Sequence, residues 1–498
     1  MGGRDEKVVT LEGLRFGGGV GGGEETLEAR GRFEVGAPDW VHLPVEVPAG
    51  VRELAVSYDY DRPPPPRGLP GNALDIGIFD PGGHGLGDAA GFRGWSGGAR
   101  AGFVISRGGA TPGYLPGPVH PGTWHLLLGP YTVAPQGLEW TVRVTLRYGE
   151  PGPELVPHPA LARAGGRGRA WYRGDAHVHT VHSDGQRRPE EVVAAARAAG
   201  LDFIVSTEHN TSSASAVWGR HAGAGSDLLV VDGEEVTTRN GHLLALGLPP
   251  GGWIDWRYRA ADGVIGRFLR QIRTLGALAV AAHPYCPFLG CAWKFGYAGL
   301  DAVEVWNGPW TLDDEAALAT WDGLLAAVGE GAWPVALGGS DAHREPDVVG
   351  LPQNVVLADD LERGAILEGM RSGRLWIAES AAVDVSFAAS ADGPSAGIGE
   401  RLAVEPGTRA SVRLEARGAE GCVARLCTDL GTVLEAPLGG DGRAVVTWTT
   451  TPRASAYVRA EVRRPGPAPT AAGAMVALTN PIFLGRRDEP AASTAGSG

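Results

Sequence analysis

The 498-residue sequence predicts an α/β protein, with a βα barrel in the middle of the chain, an N-terminal β-sandwich before it and a smaller C-terminal β domain after it. Three observations predict this. Up to about residue 150, short alternating apolar runs are divided by Pro- and Gly-rich turns. From Trp171 strand-like and helix-like segments alternate, and after about Ser380 the helical signal fades while strands return. The implied boundaries are 1–165 for the sandwich and its linker, 166–380 for the barrel, 381–486 for the second β domain and 487–498 for a disordered tail.

Taken in order, residues 41–47 and 140–146 alternate apolar and polar side chains, as half-buried strands do. Pro151 to Arg169 crowds Pro, Gly and Arg without periodicity and reads as a linker. Residues 189–199 form a helix with Pro189 in its first turn and Gly200 at its end, and the apolar run 201–206 is a buried strand. Further strands are expected at 228–231, 242–248, 277–282, 302–306 and 335–338, with helices at 264–275, 313–328 and 361–371. Runs at 410–414 and 454–459 begin the last β domain, and the polar tail from Arg487 buries too little apolar surface to offset its ordering entropy.

Composition narrows the function. A net charge of −13 offers no broad basic surface, so a nucleic acid is not an expected partner and a small molecule is. Lys7 and Lys294 are the only lysines, which limits lysine chemistry. The four cysteines, Cys286, Cys291, Cys422 and Cys427, do not make a disulfide scaffold and contain no CxxC pair, which predicts a reducing compartment. No apolar signal region follows Met1, and no run of eighteen apolar residues occurs. A soluble, cytoplasmic protein without a membrane partner is expected. Gly2 does not make a myristoylation signal, because Glu6 stands where Ser or Thr is favoured.

The chemistry lies in the middle of the chain, where eight of the thirteen histidines fall between His177 and His343. On a strand, the H-x-H pair His177 and His179 sends both imidazoles to one face, where they can grip one ion. The remaining His and acid residues, His209 beside Glu208, Glu235, His283, and Asp341 with His343, fall at or just after expected strand ends. A βα barrel gathers such ends on one face. His242 is the exception, at the start of a strand.

These motifs resemble the PHP (polymerase and histidinol phosphatase) family of metal-dependent hydrolases, and within it the CehA/McbA branch, over about Tyr172 to Ser380. Residues 175–185, 206–210 and 233–237 look like its first, second and bridging-glutamate motifs. Gly241-His242, His283-Pro284 and 339–343 complete the set, while 301–307 looks like the branch. The resemblance implies a distorted (βα)7 barrel holding two or three divalent ions, zinc, manganese or iron. His177, His179, Glu235 and Asp341 would hold the first, Glu235 would bridge to a second on His242 and His283, and Asp184, His209 and His343 would hold the third. Glu234, adjacent to Glu235 on a strand, would face the other way, and Glu208 would orient a ligand from behind.

Paired ions activate a shared water for attack on phosphorus or a carbonyl carbon, so no side-chain nucleophile is required. An arginine would hold a phosphate, with Arg220, Arg257 and Arg344 as candidates. His182 or His221 would protonate a leaving oxygen, and Lys294 could touch substrate. Tyr285, Trp293, Phe295, Trp306 and Trp310 either wall a leaving-group pocket or pack the core. The expected reaction is hydrolysis of a small-molecule phosphoester, with carboxyl or carbamate ester hydrolysis of the CehA kind as the runner-up. Amidohydrolases share H-x-H, but their bridging lysine precedes the later histidines, whereas Lys294 follows His283. A binding protein whose β domains recognise a glycan or protein while the barrel is catalytically idle is the reading of another class; beside an active barrel the β domains could still bind a partner, shield the barrel mouth or support a homo-oligomer.

Overall fold

The computed structural model describes residues 12–16, 23–65, 67–88, 90–327, 333–466 and 473–486; the expected tail at 487–498 lies outside the described residues. Among the described residues, no helix is long and apolar enough to cross a membrane.

The N-terminal part is built from two antiparallel sheets. One orders Glu12–Phe16, Glu24–Phe33, Leu138–Tyr148, Val51–Tyr60, Gly102–Ser106 and Gly109–Ala110; the other orders Val41–Val47, Gly122–Thr132, Ala73–Phe79 and Phe92–Gly97. Alternation does the work here: Leu43, Val45 and Val47 point into the shared core with Leu54, Ile76, Trp124 and Trp140, while the residues between them point out. Residues 151–169 form no strand or helix, yet they are tied along their length, with His158 N–H donating to Ala216 O and Ala164 N–H to Leu361 O.

The central sheet runs in space as Val335–Gly339, Ala302–Asn307, Leu278–Ala281, Gly241–Leu246, Leu229–Thr238, Phe203–Ser206 and Ala170–Val178. It curls into half a barrel. Backbone bonds from Asp341 N–H to His177 O and from His179 N–H to Ala342 O bring the two outer strand ends together. Helices Pro189–Ala198, Ile265–Thr274, Leu312–Ala327 and Arg363–Arg371 lie within two residues of the sequence expectation. The sheet departs from strict βα alternation at Leu229–Thr238 and Gly241–Leu246, which pair antiparallel because two residues, Arg239 and Asn240, return the chain directly. That reversal explains His242. An antiparallel strand begins on the face where its parallel neighbours end, so a residue at its start joins residues at their ends.

The sheet does not stop at residue 380. Gln353–Ala358 and Leu375–Ala378 continue it antiparallel into Met475–Thr479, Tyr457–Arg463, Val423–Thr428 and Gly431–Pro437. A further sheet of Ser395–Gly397, Asp384–Ser390, Ala410–Arg417 and Ala444–Thr450 covers this extension around Val385, Phe387, Val412 and Leu414. Arg459 bonds Asp322 on the helix Leu312–Ala327 through two nitrogens (2.8 and 2.6 Å), and Arg463 reaches Glu315 on the same helix (2.5 Å), with buried Glu461 between the two arginines.

One expectation about cysteine is corrected. Cys286 and Cys291 form a disulfide with Cα atoms 5.6 Å apart, within the reach of such a bridge, whereas Cys422 and Cys427 are free and buried. The six-residue loop folds back on itself, which spacing alone does not reveal, and the bridge removes the basis for inferring a reducing compartment.

Candidate metal centre

His177 lies at the end of the strand Ala170–Val178 and His179 directly follows it; two residues apart, both are fully buried on its inner face. Asp341 comes to them on the turn after Val335–Gly339. The approach requires Gly339: a Cβ there would stand 2.3 Å from His177 Cβ. His177 Nε2 lies 3.1 Å from Glu235 Oε2 and 3.2 Å from Asp341 Oδ1, and His179 Nε2 lies 3.2 and 3.1 Å from the same two oxygens. All four atoms are buried, and none makes a hydrogen bond of acceptable geometry.

Two more donor groups surround this set. Glu235 Oε1 is 2.7 Å from His242 Nδ1 and 3.0 Å from His283 Nε2, so the two oxygens of one carboxylate face different histidines. On the other side Asp184 Oδ1 is 3.2 Å from His343 Nε2 and 3.5 Å from His209 Nε2. The structure therefore brings together all nine residues His177, His179, Asp184, His209, Glu235, His242, His283, Asp341 and His343. The strand pleat turns Glu234 to the opposite face, where it accepts from Ile254 N–H at 2.7 Å; burial keeps its carboxyl well above the ordinary range.

Positioning groups stand behind the cluster. Glu304, almost fully buried, takes His177 Nδ1 (2.9 Å) and accepts from His283 N–H (2.8 Å) and Asn307 Nδ2 (3.1 Å), fixing one imidazole and the backbone under another. Glu208 does not reach the cluster. It accepts from Thr180 N–H, Thr180 Oγ1 and Ser183 Oγ (3.1, 2.5 and 2.6 Å) and so holds the loop after His179. Among the described residues the non-glycine residues with positive φ are Asn210 (53°), His283 (22°) and Asp341 (52°), all of them in this site. Such backbone persists only where surrounding contacts over-determine it.

Burial opposes charge on His177 and His179, but Asp341 and Glu235 outweigh it, holding His177 well above its ordinary value and His179 up to about 10. Conversely, burial would neutralise Glu235 and Asp341, yet the surrounding imidazoles hold both well below the usual carboxylate range. His209 is pushed down to about 4, chiefly by burial. The cluster is thus a dense array of charge-seeking donors in which cations can take the place of protons, and mixed imidazole and carboxylate ligands suit zinc, manganese or iron.

The centre lies at the floor of a cleft of about 1010 Å³. Trp40, Asp75, Trp95 and Tyr131 of the N-terminal sandwich form one wall, and Arg239, Trp256, Tyr285, Phe288 and Asn307 of the central part complete it. Several residues expected here lie elsewhere. Arg257 is held by Asp255 through paired contacts (3.0 and 2.7 Å) away from the cleft, and Arg220, Arg344 and Lys294 are exposed outside it. His182 turns its Nδ1 to Ser213 Oγ at 2.9 Å, packed beneath the sandwich, and His221 lies by Glu190 at 3.9 Å. Of the five expected aromatic wall residues, Tyr285 lines the cleft, while Trp306 and Trp310 join the half-barrel core and Trp293 and Phe295 pack against the cluster shared by the N-terminal sheets and the half-barrel.

The arginine that does line the cleft is Arg239, in the two-residue turn before His242. Its guanidinium lies over Tyr131 and Trp40, 4.3 and 4.9 Å from the ring centroids; Nε and Nη2 are buried without hydrogen-bond partners, and Asp75 is 3.9 Å away. Sequence reasoning missed it because its orientation depends on the sandwich. Its place beside Gly241-His242 was the available signal.

No family model matches the chain. An uncharacterised protein of Methanocaldococcus jannaschii, MJ1587, is 24% identical over 154 residues, 27% of this chain and 81% of that one. Among solved structures, a two-domain protein from Bacteroides vulgatus containing a predicted PHP-like metal-dependent phosphoesterase aligns over 67% of this chain and 100% of its own, with 16% identity and a TM-score of 0.33. An amidohydrolase from Chromobacterium violaceum, solved with sulfate and no metal, aligns over 36% of this chain and 89% of its own, with 20% identity and a TM-score of 0.25. Likenesses this distant carry no weight of their own beside the geometry of the centre.

Proposed function

We propose that the protein is a metal-dependent hydrolase of PHP type that cleaves small anionic phosphoesters. The observation that carries this reading is the convergence of four buried donor atoms, on His177, His179, Glu235 and Asp341, that no hydrogen bond satisfies, at the floor of an open cleft. These residues would hold one ion; Glu235 with His242 and His283 would hold a second, and Asp184, His209 and His343 a third. Bound there, zinc, manganese or iron supplies Lewis acidity, activating water and neutralising charge on the ester oxygens.

The chain supplies the rest. Glu304 fixes the His177 ring, and Asn307, 3.4 Å from Asp341 Oδ2, steadies the opposite carboxylate. Arg239 brings a guanidinium charge to the cleft for an anionic group, held over two aromatic rings with Asp75 3.9 Å from Nη2. Trp40, Tyr131, Tyr285 and Phe288 make an apolar wall that accepts a hydrophobic leaving group and excludes water. That wall, with Asp75 partly offsetting Arg239, favours a second reading, aryl carboxyl or carbamate ester hydrolysis of the CehA kind.

The test is a screen of the metal-stripped and zinc- or manganese-reloaded protein on aryl phosphate mono- and diesters beside aryl carboxyl and carbamate esters. Metal-dependent turnover of phosphoesters, lost in Asp341→Asn with the fold intact, is expected. Near-normal turnover in Asp341→Asn, or failure of the wild-type chain to retain added metal, would refute the proposal. Turnover confined to the carboxyl or carbamate esters would establish the second reading.

A further inference from the structure

Five histidines lie outside the 177–343 segment, and three of them, His42, His84 and His125, meet. His42 and His125 stand on the adjacent strands Val41–Val47 and Gly122–Thr132. The register pairs His42 with Leu127 and His125 with Pro44, so the two imidazoles are diagonal neighbours on one face. It is the outer face of the sandwich, since Leu43, Val45, Trp124 and Leu126 fill the core from the other side. That outer face packs on the central half-barrel, where Phe79, Phe92, Trp95 and Leu127 share a cluster with Val236, Leu243 and Trp256. His84 arrives from the loop that follows Ala73–Phe79.

The ring centroids of His84 and His125 are 3.8 Å apart, those of His42 and His84 4.7 Å, and one nitrogen of each of the three rings lies within 4.8 Å of the others. His42 Nδ1 and His125 Nδ1 are buried without a hydrogen-bond partner. The metal centre shows the same combination, with His179 and His343 centroids 4.1 Å apart and a buried, unpartnered His179 nitrogen. A buried ring nitrogen left unpaired is costly, and a cation shared by the cluster would give two such atoms a partner. Burial, then the charge of Arg257, pushes His42 down to about 4, so its imidazole is neutral and available as a ligand at ordinary pH.

We propose that His42, His84 and His125 form a separate three-imidazole binding site for a zinc-class transition-metal ion, one that fastens the His84 loop to the outer sandwich strands beside their junction with the half-barrel. An all-imidazole donor set suits zinc, copper or nickel and disfavours magnesium and calcium, which take oxygen ligands. A fourth position is left for water.

The charged group facing the cluster from the half-barrel is Arg257, whose Nη1 is 3.3 Å from His42 Nε2. Its charge is matched by Asp255, which it holds through Nε and Nη2 at 3.0 and 2.7 Å. An ion on His42 Nδ1 puts the ring proton on Nε2, so this one contact is surrendered. Arg257 keeps Asp255 and the carbonyl oxygens of His84 and Gly85 at 2.9 and 3.3 Å. The ion and Arg257 then grip the His84 loop from two sides. That loop also gives Gly87 N–H to Asp255 Oδ2 at 2.9 Å, so it is one of the points where the sandwich is tied to the half-barrel.

Zinc content decides the matter. The full chain, stripped with chelator, reloaded with Zn²⁺ and desalted, is compared by elemental analysis with His84→Ala and His125→Gln, whose folding is checked by circular dichroism. Each folded variant is expected to hold one equivalent less than the wild-type chain, with the zinc retained at the main centre unchanged. Equal zinc in a folded variant and the wild type overturns the proposal. If neither variant folds, the wild-type chain is treated with diethyl pyrocarbonate with and without Zn²⁺ and its peptides mapped. Protection of His84 and His125 by Zn²⁺ supports the site, and equal modification overturns it.

Discussion

Replacing Glu304 by glutamine changes one atom and almost no volume, so its consequences follow from hydrogen-bond accounting. The carboxylate accepts at one oxygen from His177 Nδ1 and at the other from His283 N–H and Asn307 Nδ2. A glutamine has one acceptor oxygen. If that oxygen serves His177, the new NH₂ faces two donors; if it serves His283 and Asn307, the NH₂ faces the His177 ring, which must then release its Nδ1 proton or turn. Either way a donor conflict arises at a side chain about 1% exposed, where an unmet group costs roughly 1–3 kcal/mol. Loss of the carboxylate charge also weakens His177 as a donor, and changes of this kind lower metal affinity by roughly 10- to 100-fold. Tenfold corresponds to about 1.4 kcal/mol, so the two routes to the magnitude agree. Competition with a fluorescent zinc chelator measures it directly. Glu304→Gln is expected to lose zinc 10- to 100-fold more readily than the wild type, with hydrolysis recovering when free zinc is raised. Unchanged affinity in a folded variant would refute the reasoning that Glu304 orients a metal-holding His177.

The cleft and the domain junction give three more predictions. Arg239→Ala is expected to raise KM for an aryl phosphodiester roughly 10- to 150-fold, as loss of charge-assisted hydrogen bonds of about 1.5–3 kcal/mol requires, while kinetics on a neutral aryl ester stay within a few-fold. Asp75 is pushed up to about 6 by burial, which Arg239 only partly counters, so below that pH it becomes neutral and leaves Arg239 uncompensated. KM for a phosphodiester, whose own charge does not change in this range, is expected to fall as pH drops through 6, and Asp75→Asn to flatten the profile; a wild-type KM independent of pH from 5 to 7.5 would contradict it. Glu461 is held down to about 2 because Arg459 and Arg463 outweigh its burial. A depressed carboxylate pKa contributes stability above about 4.5 that is lost as pH falls towards 2, here about 3 kcal/mol. Thermal melts of Glu461→Gln and wild type should therefore differ most near pH 7 and converge as pH falls to about 2; a constant difference would exclude the ionic origin.

The legible part of the centre consists of residues whose direction is set by local backbone. Period two sends His177 and His179 the same way and separates Glu235 from Glu234. Strand ends on a common face explain His209, His283 and Asp341, and only the antiparallel return of Gly241–Leu246 was needed to bring in His242. The helices were legible for a similar reason, since Pro189 and the apolar stripes mark them locally. The arginine was not legible. Arg220, Arg257 and Arg344 lie near the motifs in sequence, but whether a long side chain faces the cleft depends on what packs over it, and Trp40 and Tyr131 of the N-terminal sheets give that place to Arg239.

The sequence by itself determined the order of strands and helices in the central part and put His177, His179, His209, His283 and Asp341 at strand ends, because hydrophobic period and strand termini act over a few residues; the full set of nine came from the resemblance of its motifs to the PHP family. Only the tertiary structure decided how the half-barrel sheet continues into the C-terminal strands, that Cys286 pairs with Cys291, that His182 is sealed against Ser213, and that His42, His84 and His125 share one junction. Each of these depends on segments far apart in the chain, or on a loop folding back, being pressed together by burial of apolar surface. No local pattern encodes that event.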